Sequence, residues 1–370
     1  MDGIDAVIAE FNNAGARILA QRTLPFPEPV VEALERARSD PDSFPAAGLS
    51  RLDALLGEAF ATAALEVIDA AGLAPVQVRA IGSHGQTILH RPDEVPPATL
   101  QIADPHRIAA RTGIVTVADF RRSDLAAGGQ GAPLAPLLHH KLLSSLEENR
   151  VVLNLGGIAN ISILPGSGGV RGFDTGPANC FLDFWYRCHH SGRFDSAGCW
   201  ATTGKVDPDW LSTLLADDYF ARPAPKSTGI EYFSPMWLES RLPAWAALRP
   251  ADIQATLMEL TAQSIANAIA ALPQDERPVR VVACGGGVHN QALMQRLSEL
   301  LKSTPLDSSA RFGLDPDHIE SLLFAWLARE RLALRPLSTG PVTGAGQPVM
   351  AGSVVVPAEG TSPAGRSLTE

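Results

Sequence analysis

One stretch constrains the chain more than any other: VVLNLGGIANISILPGSGGVRGFDTGPAN, from Val151 to Asn179. An apolar run (Val151 to Leu155) meets a Gly156-Gly157 turn, a second run alternates through Ile158, Ile161 and Ile163, and a glycine-rich reversal leads to Asp174. Apolar runs bounded by glycine turns read as antiparallel strands, so two tightly joined strands and a third ending in a carboxylate are predicted. A turn without Cβ atoms exposes its amides as a small nest for an anion. Asp174 at a strand end is placed to accept a proton; the competing role is to cap the helix that starts near Pro177.

At 370 residues the chain is long for one core, and two domains are the default. Lys+Arg 30 against Asp+Glu 40 gives a formal net charge of -10. Without a basic cluster to displace phosphate counterions, nucleic acid and anionic membrane are poor partners. Phosphate binding then falls to backbone amides and a bound metal ion. Cys180, Cys188, Cys199 and Cys284 form no CxxC pair and read as free thiols in a reduced compartment. No apolar segment approaches the ~20 residues of a membrane span. The opening MDGIDAVIAEF has no basic n-region. A soluble, cytoplasmic protein is expected.

In chain order, Ile4 to Phe11 and Ala16 to Leu24 read as strands about a turn, and Leu49 to Ala71 as a helix with Leu52, Leu55, Leu56, Phe60, Ala63 and Val67 on one face. Val76 to Gly82 reads as a short buried strand opening into SHGQT, and Ile114 to Ala118 as a strand leading into DFRRSDLAAGGQGAPLAP. A domain boundary is placed after the helix near Leu137 to Glu147, giving residues 1–148 and 149–356, with a disordered tail at 357–370. In the second half a long helix (Ala251 to Leu272) precedes the strand Val279 to Ala283, three glycines, and helices at Asn290 to Lys302 and Ile319 to Leu332. If the halves are related by duplication, the first has lost its leading strand and most of its turn. Against strand VVLNL, turn GG and two further strands, the first half begins at its turn, Met1-Asp2-Gly3, followed by IDAVIAEF and ARILAQRTL. A leading strand would be central in its sheet, so its loss leaves backbone groups unpaired and removes a phosphate loop.

The chemistry-bearing residues cluster after strands, where open α/β sheets bind ligands. His84 in SHGQT suits a sugar hydroxyl or a water, or else a structural role. Arg121 in DFR suits a substrate carboxylate held bidentately, or else pairs with Asp119 or Asp124. GGQGAPLAP reads as a rigid turn entering a helix. Gly285, Gly286 and Gly287, between a strand and a helix, allow a flat ligand or a phosphate against the backbone. Glu320 belongs either to a substrate pocket or to a helix surface.

SHGQTILHRP, DFRRSDLAAGGQGAPLAP, NLGGIANIS, GFDTGPAN, APKSTGIEYF, ACGGGVHN and PVTGAG, in this order across essentially the whole chain, resemble the 1,6-anhydro-N-acetylmuramic acid kinases of the actin, sugar kinase and Hsp70 ATPase superfamily. The resemblance implies an α/β, two-lobed actin-like fold of duplicated RNase H-like lobes, each with a mixed five-stranded sheet and flanking helices, closing over ATP. It implies ATP with Mg²⁺, a phosphate loop at Asn154, Gly156 and Gly157, adenosine near Gly285 to Gly287, and Asp174 as general base. His84, Arg121, Thr175 and Glu320 are the expected substrate contacts, with no protein metal site. A water would open the anhydro bridge while O6 takes the γ-phosphate, giving N-acetylmuramic acid 6-phosphate for peptidoglycan recycling. The expected partner is a small-molecule anhydrosugar; a homodimer is allowed.

Two departures from the family pattern stand out. Of its first strand and GTSxDG loop only Asp2 and Gly3 remain, and Ile230 stands where an Arg is usual. Either the coding start lies upstream or the chain is a truncated relative with impaired transfer. The alternatives are a kinase for another anhydrosugar such as levoglucosan and a non-catalytic ligand-binding relative.

Overall fold

The structure, a computed structural model, describes residues 3–12, 15–224, 226–241 and 249–358. Asp2 and the expected tail from residue 359 onward lie outside them. The chain opens with β1 (Ile4–Asn12), β2 (Gly15–Leu24), α1 (Glu28–Ser39) and α2 (Ala46–Ala70). It continues through β3 (Ile81–Gly82), β4 (Gln86–Arg91), β5 (Ala98–Ile102), α3 (Pro105–Thr112), β6 (Thr116–Ala118), α4 (Arg122–Ala126) and α5 (Ala135–Leu143). Then come β7 (Arg150–Leu155), β8 (Ile158–Leu164), β9 (Arg171–Pro177), α6 (Asn179–His189), α7 (Pro208–Leu215), α8 (Asp218–Ala221) and α9 (Pro235–Arg241). The last part holds α10 (Pro250–Ala270), β10 (Arg280–Cys284), α11 (Gln291–Leu301), β11 (Leu306–Ser308), α12 (Ile319–Leu332), α13 (Gly340–Thr343) and β12 (Ser353–Val355). Among the described residues no helix is long and apolar enough to cross a membrane.

Two compact units form. One takes the chain up to Leu138 together with the segment from Glu320 onward; the other is His139–Ile319. The boundary thus falls inside α5 rather than at residue 148, and the chain after Ile319 returns to the first unit instead of completing the second. The return rests on pairing and packing: β12 runs antiparallel to β6, with Val354 opposite Val117. The Phe324 carbonyl of α12 also lies so close to Gly82 that a Cβ there would sit 2.0 Å from it.

The second unit holds a five-stranded sheet in the order β11-β10-β7-β8-β9. Its central strand carries a continuous apolar run, the pattern of a strand covered on both faces, and Val151, Val152, Leu153 and Leu155 are fully buried. One face packs on α10 and α11 through Ala262, Ile265, Ile269, Leu293 and Leu297. The mixed sheet follows from the connections: β7 is antiparallel to β8 through a two-residue turn and parallel to β10, which returns by way of α10, as parallel neighbours require a long crossover.

In the first unit the strands fall into β12-β6-β3 and the hairpins β1-β2 and β4-β5. The parallel pair β3-β6 and the antiparallel pair β1-β2 match β10-β11 and β8-β9 of the second unit. In the second unit β7 joins its two pairs; among the described residues of the first, no strand joins β1 to β3. Helix α12 lies against both: Ser321 Oγ donates to the Asp5 carbonyl at 3.3 Å, and Phe324 abuts Gly82.

Two local expectations differ from the structure. Of Val76 to Gly82 only Ile81–Gly82 pairs, because Pro75–Gln77 winds into a single 3-10 turn whose Gln77 Oε1 accepts from the Ala74 N–H at 2.8 Å. Leu55 on α2 is exposed, while Leu52, Leu56, Ala63 and Val67 form the buried stripe; their spacing keeps one face, and Leu55 lies off its edge.

The topology makes a measurable difference between equivalent strands. β8 is bonded on both sides, β1 on one, so in native-state hydrogen exchange alternate amides of Ile4–Asn12 are expected to exchange much faster than those of Ile158–Leu164. Uniform protection along Ile4–Asn12 would contradict the split sheet.

Candidate functional site

Asp174 sits within β9, opposite Asn160 at a register shift, rather than at the strand's end. It does not cap the next helix: the N-cap of α6 is Ala178, without a side-chain cap bond. One later segment holds it in three ways. The Asp174 N–H donates to the Lys226 carbonyl at 3.1 Å, Tyr219 Oη donates to the Asp174 carbonyl at 2.7 Å, and the Thr228 N–H donates to Asp174 Oδ2 at 2.9 Å. Burial pushes the carboxyl up to about 6, with the Thr228 N–H opposing the rise. Among the described residues Oδ1 has no donor. The result is a half-buried carboxylate with one oxygen fixed and one free, titrating near neutrality, as a general base requires.

Thr175 differs. Successive strand residues face opposite sides, and Thr175 is buried with its hydroxyl donating to the Ala159 carbonyl at 3.2 Å. Its hydroxyl is thus engaged within the sheet.

The Gly156-Gly157 turn links β7 to β8. The Gly156 carbonyl accepts from the Asn179 N–H at 3.0 Å, and that of Gly157 from Ala178 and Cys180. In a trans peptide the N–H points opposite to the C=O, so the Gly157 N–H faces away from α6. An added Cβ at Gly156 or Gly157 would make only ordinary contacts, 3.4 Å to the Ile158 carbonyl and 3.5 Å to Ile230 Cγ2. The fold does not demand glycine here, and the space that a Cβ would fill is open to a ligand. Asn154, at the end of β7, accepts from Cys284 Sγ at 3.9 Å, and Asn179 Nδ2 donates to the Leu155 carbonyl at 2.9 Å.

The three glycines after β10 divide by role. Gly285 has φ +82, and a Cβ there would lie 2.6 Å from Asn154 Oδ1; at Gly287 it would lie 2.5 Å from Leu155 Cβ. Both are needed to lay this turn against β7. Only Gly286 faces open space, since a Cβ added there would meet nothing within 4 Å. Gly3 likewise has a packing reason, since a Cβ would meet the Leu24 carbonyl at 2.6 Å.

The first unit gathers His84, Arg121 and Glu320. Asp119, left-handed at φ +56, directly follows β6 and pairs with Arg122 at 3.4 Å, while Phe120 turns into the core. Arg121 Nε donates to His84 Nε2 at 3.1 Å and Nη1 to the Gly131 carbonyl at 2.8 Å. Neither Asp119 nor Asp124 pairs with it. Asp124 is fully buried, accepting from the Gly131 N–H at 2.6 Å and Thr343 Oγ1 at 2.8 Å, which ties the GGQG turn to PVTG. The His84 ring stacks on Phe324, centroids 4.4 Å apart. Burial, reinforced by the Arg121 charge, holds His84 well below the usual histidine range, so its Nε2 stays an acceptor. Arg121 is lowered by burial, against the pull of Glu320 and Asp124. Glu320 is accessible to solvent yet surrounded by protein: lost hydration raises it most, Asp5 adds to the rise, and Arg121 opposes it.

Sequence reasoning misses Thr228, Tyr219, Lys226 and Phe324. APKSTGIEYF stands out as a motif, but two of its contacts with Asp174 are made by backbone atoms, which side-chain identity does not advertise.

The glycine roles separate by stability. Gly287→Ala is expected to lose about 1–3 kcal/mol from overpacking against Leu155, whereas Gly286→Ala stays within about 0.5 kcal/mol. Urea unfolding measures both, and equal losses would contradict the assignment.

The profile of the family "Anhydro-N-acetylmuramic acid kinase" matches residues 1–357. A protein of that name from Xanthomonas campestris pv. campestris strain 8004 is 49% identical over 356 residues, 95% of this chain and 94% of its own. Its namesake from Xylella fastidiosa strain Temecula1 is 47% identical over 348 residues, 93% and 91% of the two chains. That from Shewanella baltica strain OS223 is 44% identical over 354 residues, 95% of each. With the profile spanning residues 1–357 and the relatives matching over more than nine-tenths of both chains, the chain belongs to the anhydro-N-acetylmuramic acid kinase family.

Proposed function

We propose that this protein is an ATP-dependent kinase that opens 1,6-anhydro-N-acetylmuramic acid with water and phosphorylates its O6, yielding N-acetylmuramic acid 6-phosphate and ADP in peptidoglycan recycling. The observation that carries the reading is Asp174, with a free Oδ1 and a carboxyl raised to about 6. Water is a weak nucleophile until a base takes its proton. Asp174 Oδ1 accepts that proton as the water oxygen bonds to the anomeric carbon. The bond from that carbon to O6 breaks, and O6 bonds to the γ-phosphorus as ADP leaves.

The open side of the Gly156-Gly157 turn and of Gly286 suits a nucleotide, with the Gly157 N–H as a phosphate donor. Bound Mg²⁺ would neutralise phosphate charge during transfer. Among the described residues no group of three His, Cys, Asp or Glu could hold a metal, so the ion is expected to arrive on the nucleotide's phosphates. Arg121, with no ion pair within 4 Å among the described residues and oriented by its bond to His84 Nε2, suits the lactyl carboxylate, and Glu320 suits a hydroxyl donor. Among the described residues no strand joins β1 to β3, and a second reading is ligand binding without efficient transfer. Retained ATP binding without ADP release would support it.

Asp174→Asn is expected to lower kcat by about 10²–10⁴-fold in a coupled ADP-release assay with ATP affinity kept. Near-normal turnover would remove Asp174 from the base role. The parent's activity is expected to fall as pH drops through about 6, where the base becomes protonated. The same raised value makes a stability statement. A carboxyl whose folded-state pKa exceeds its ordinary 3.8 takes up protons on folding, so stability falls as pH rises through that window and the deficit is complete above about 6. Asp174→Asn is therefore expected to melt with the parent near pH ~4 and above it at pH ~8. A lower melting temperature at pH ~8 would contradict the burial argument.

A further inference from the structure

We infer that Thr228 is a positioning residue of this reaction, its hydroxyl kept without a protein partner so that it can bond a ligand oxygen held on Asp174. The inference rests on the reading of Asp174 as base. Thr228 Oγ1 is sequestered from solvent and, among the described residues, has no hydrogen-bond partner. An unsatisfied buried hydroxyl costs stability, because its desolvation is not offset. The fold has no visible use for it: the grip on Asp174 is made by the Thr228 N–H, and valine would fill the same volume and favour the same backbone. The loop around it also reaches the other half of the unit's chemistry. Two residues on, Ile230 Cγ2 lies 3.5 Å from the Cβ position of Gly157, on the turn whose Gly157 N–H faces away from α6. Thr228 thus stands on the segment that spans the base and the glycine turn. Its hydroxyl reaches a ligand by turning about χ1, exchanging places with the methyl group.

The other sequestered polar groups serve less well. His139 Nδ1 already meets Ser162 Oγ at 2.8 Å within the core, and His318 Nδ1 lies 3.5 Å from Asp315. Neither has contact with a residue proposed to react.

The test compares Thr228→Val, Thr228→Ser and Asp174→Asn in the full chain, with ATP and 1,6-anhydro-N-acetylmuramic acid as substrates. Thr228→Val is expected to reduce kcat about tenfold, the worth of one hydrogen bond made in the transition state, with the KM for ATP unchanged and Thr228→Ser close to the parent. Its melting temperature without ligand is expected to equal or exceed the parent's, since the unsatisfied group is gone. Normal kcat in Thr228→Val overturns the inference. So does a lowered melting temperature with normal kcat, which would make the hydroxyl structural. Should Asp174→Asn keep normal turnover, the base reading itself fails, an outcome separate from either result at Thr228.

Discussion

The donor set around Asp174 is the constraint on which the rest depends. A carboxylate withdrawn from water tends to neutralise unless something bonds its charged form. Here a single backbone N–H, from Thr228, does so at one oxygen. That balance leaves the group ionised above about pH 6 and still a competent proton acceptor. Two more bonds, from Tyr219 Oη and to the Lys226 carbonyl, fix the backbone on either side, so the side chain's direction is set before any ligand arrives.

The clamp in turn needs its own anchor. Asp217, almost fully buried, accepts from the Tyr219 N–H at 2.8 Å, Tyr232 Oη at 2.8 Å and Trp237 Nε1 at 3.0 Å, and pairs with Arg241. Trp237 in turn meets Phe233 edge to face, and Phe233 meets Phe181. A loop rich in polar and glycine residues is thereby fastened to an aromatic core, which is how an irregular segment can hold a reactive group with the precision of a strand. In the first unit a parallel arrangement operates: buried Asp124 locks the GGQG turn, and the turn's Gly131 carbonyl then orients Arg121 against His84.

Much of this is legible in the sequence where the determinants are local. The β7-β8-β9 unit announces itself by apolar runs broken at Gly156-Gly157, and Asp174 by its place after them. Three features are not legible. β11 and β12 are three-residue strands, LDS and SVV, too short to carry a pattern. The return of α12 and β12 to the first unit depends on the fit of Phe324 against Gly82, a contact between distant residues. Thr228 grips Asp174 through its N–H, which every residue but proline has. The glycines show the opposite hazard. GGG looks like one nucleotide signal, yet Gly285 and Gly287 are explained by packing on Asn154 and Leu155, and only Gly286 remains open.

Burial raises the Asp174 carboxyl to about 6 against the opposing pull of one backbone donor, the Thr228 N–H. The most direct measurement is a carbon-detected NMR titration of the Asp174 carboxyl in the unliganded protein, assigned by its loss in Asp174→Asn. A midpoint about 6 is expected. A midpoint at or below the ordinary value of 3.8 would mean a solvated or ion-paired group and would contradict the account.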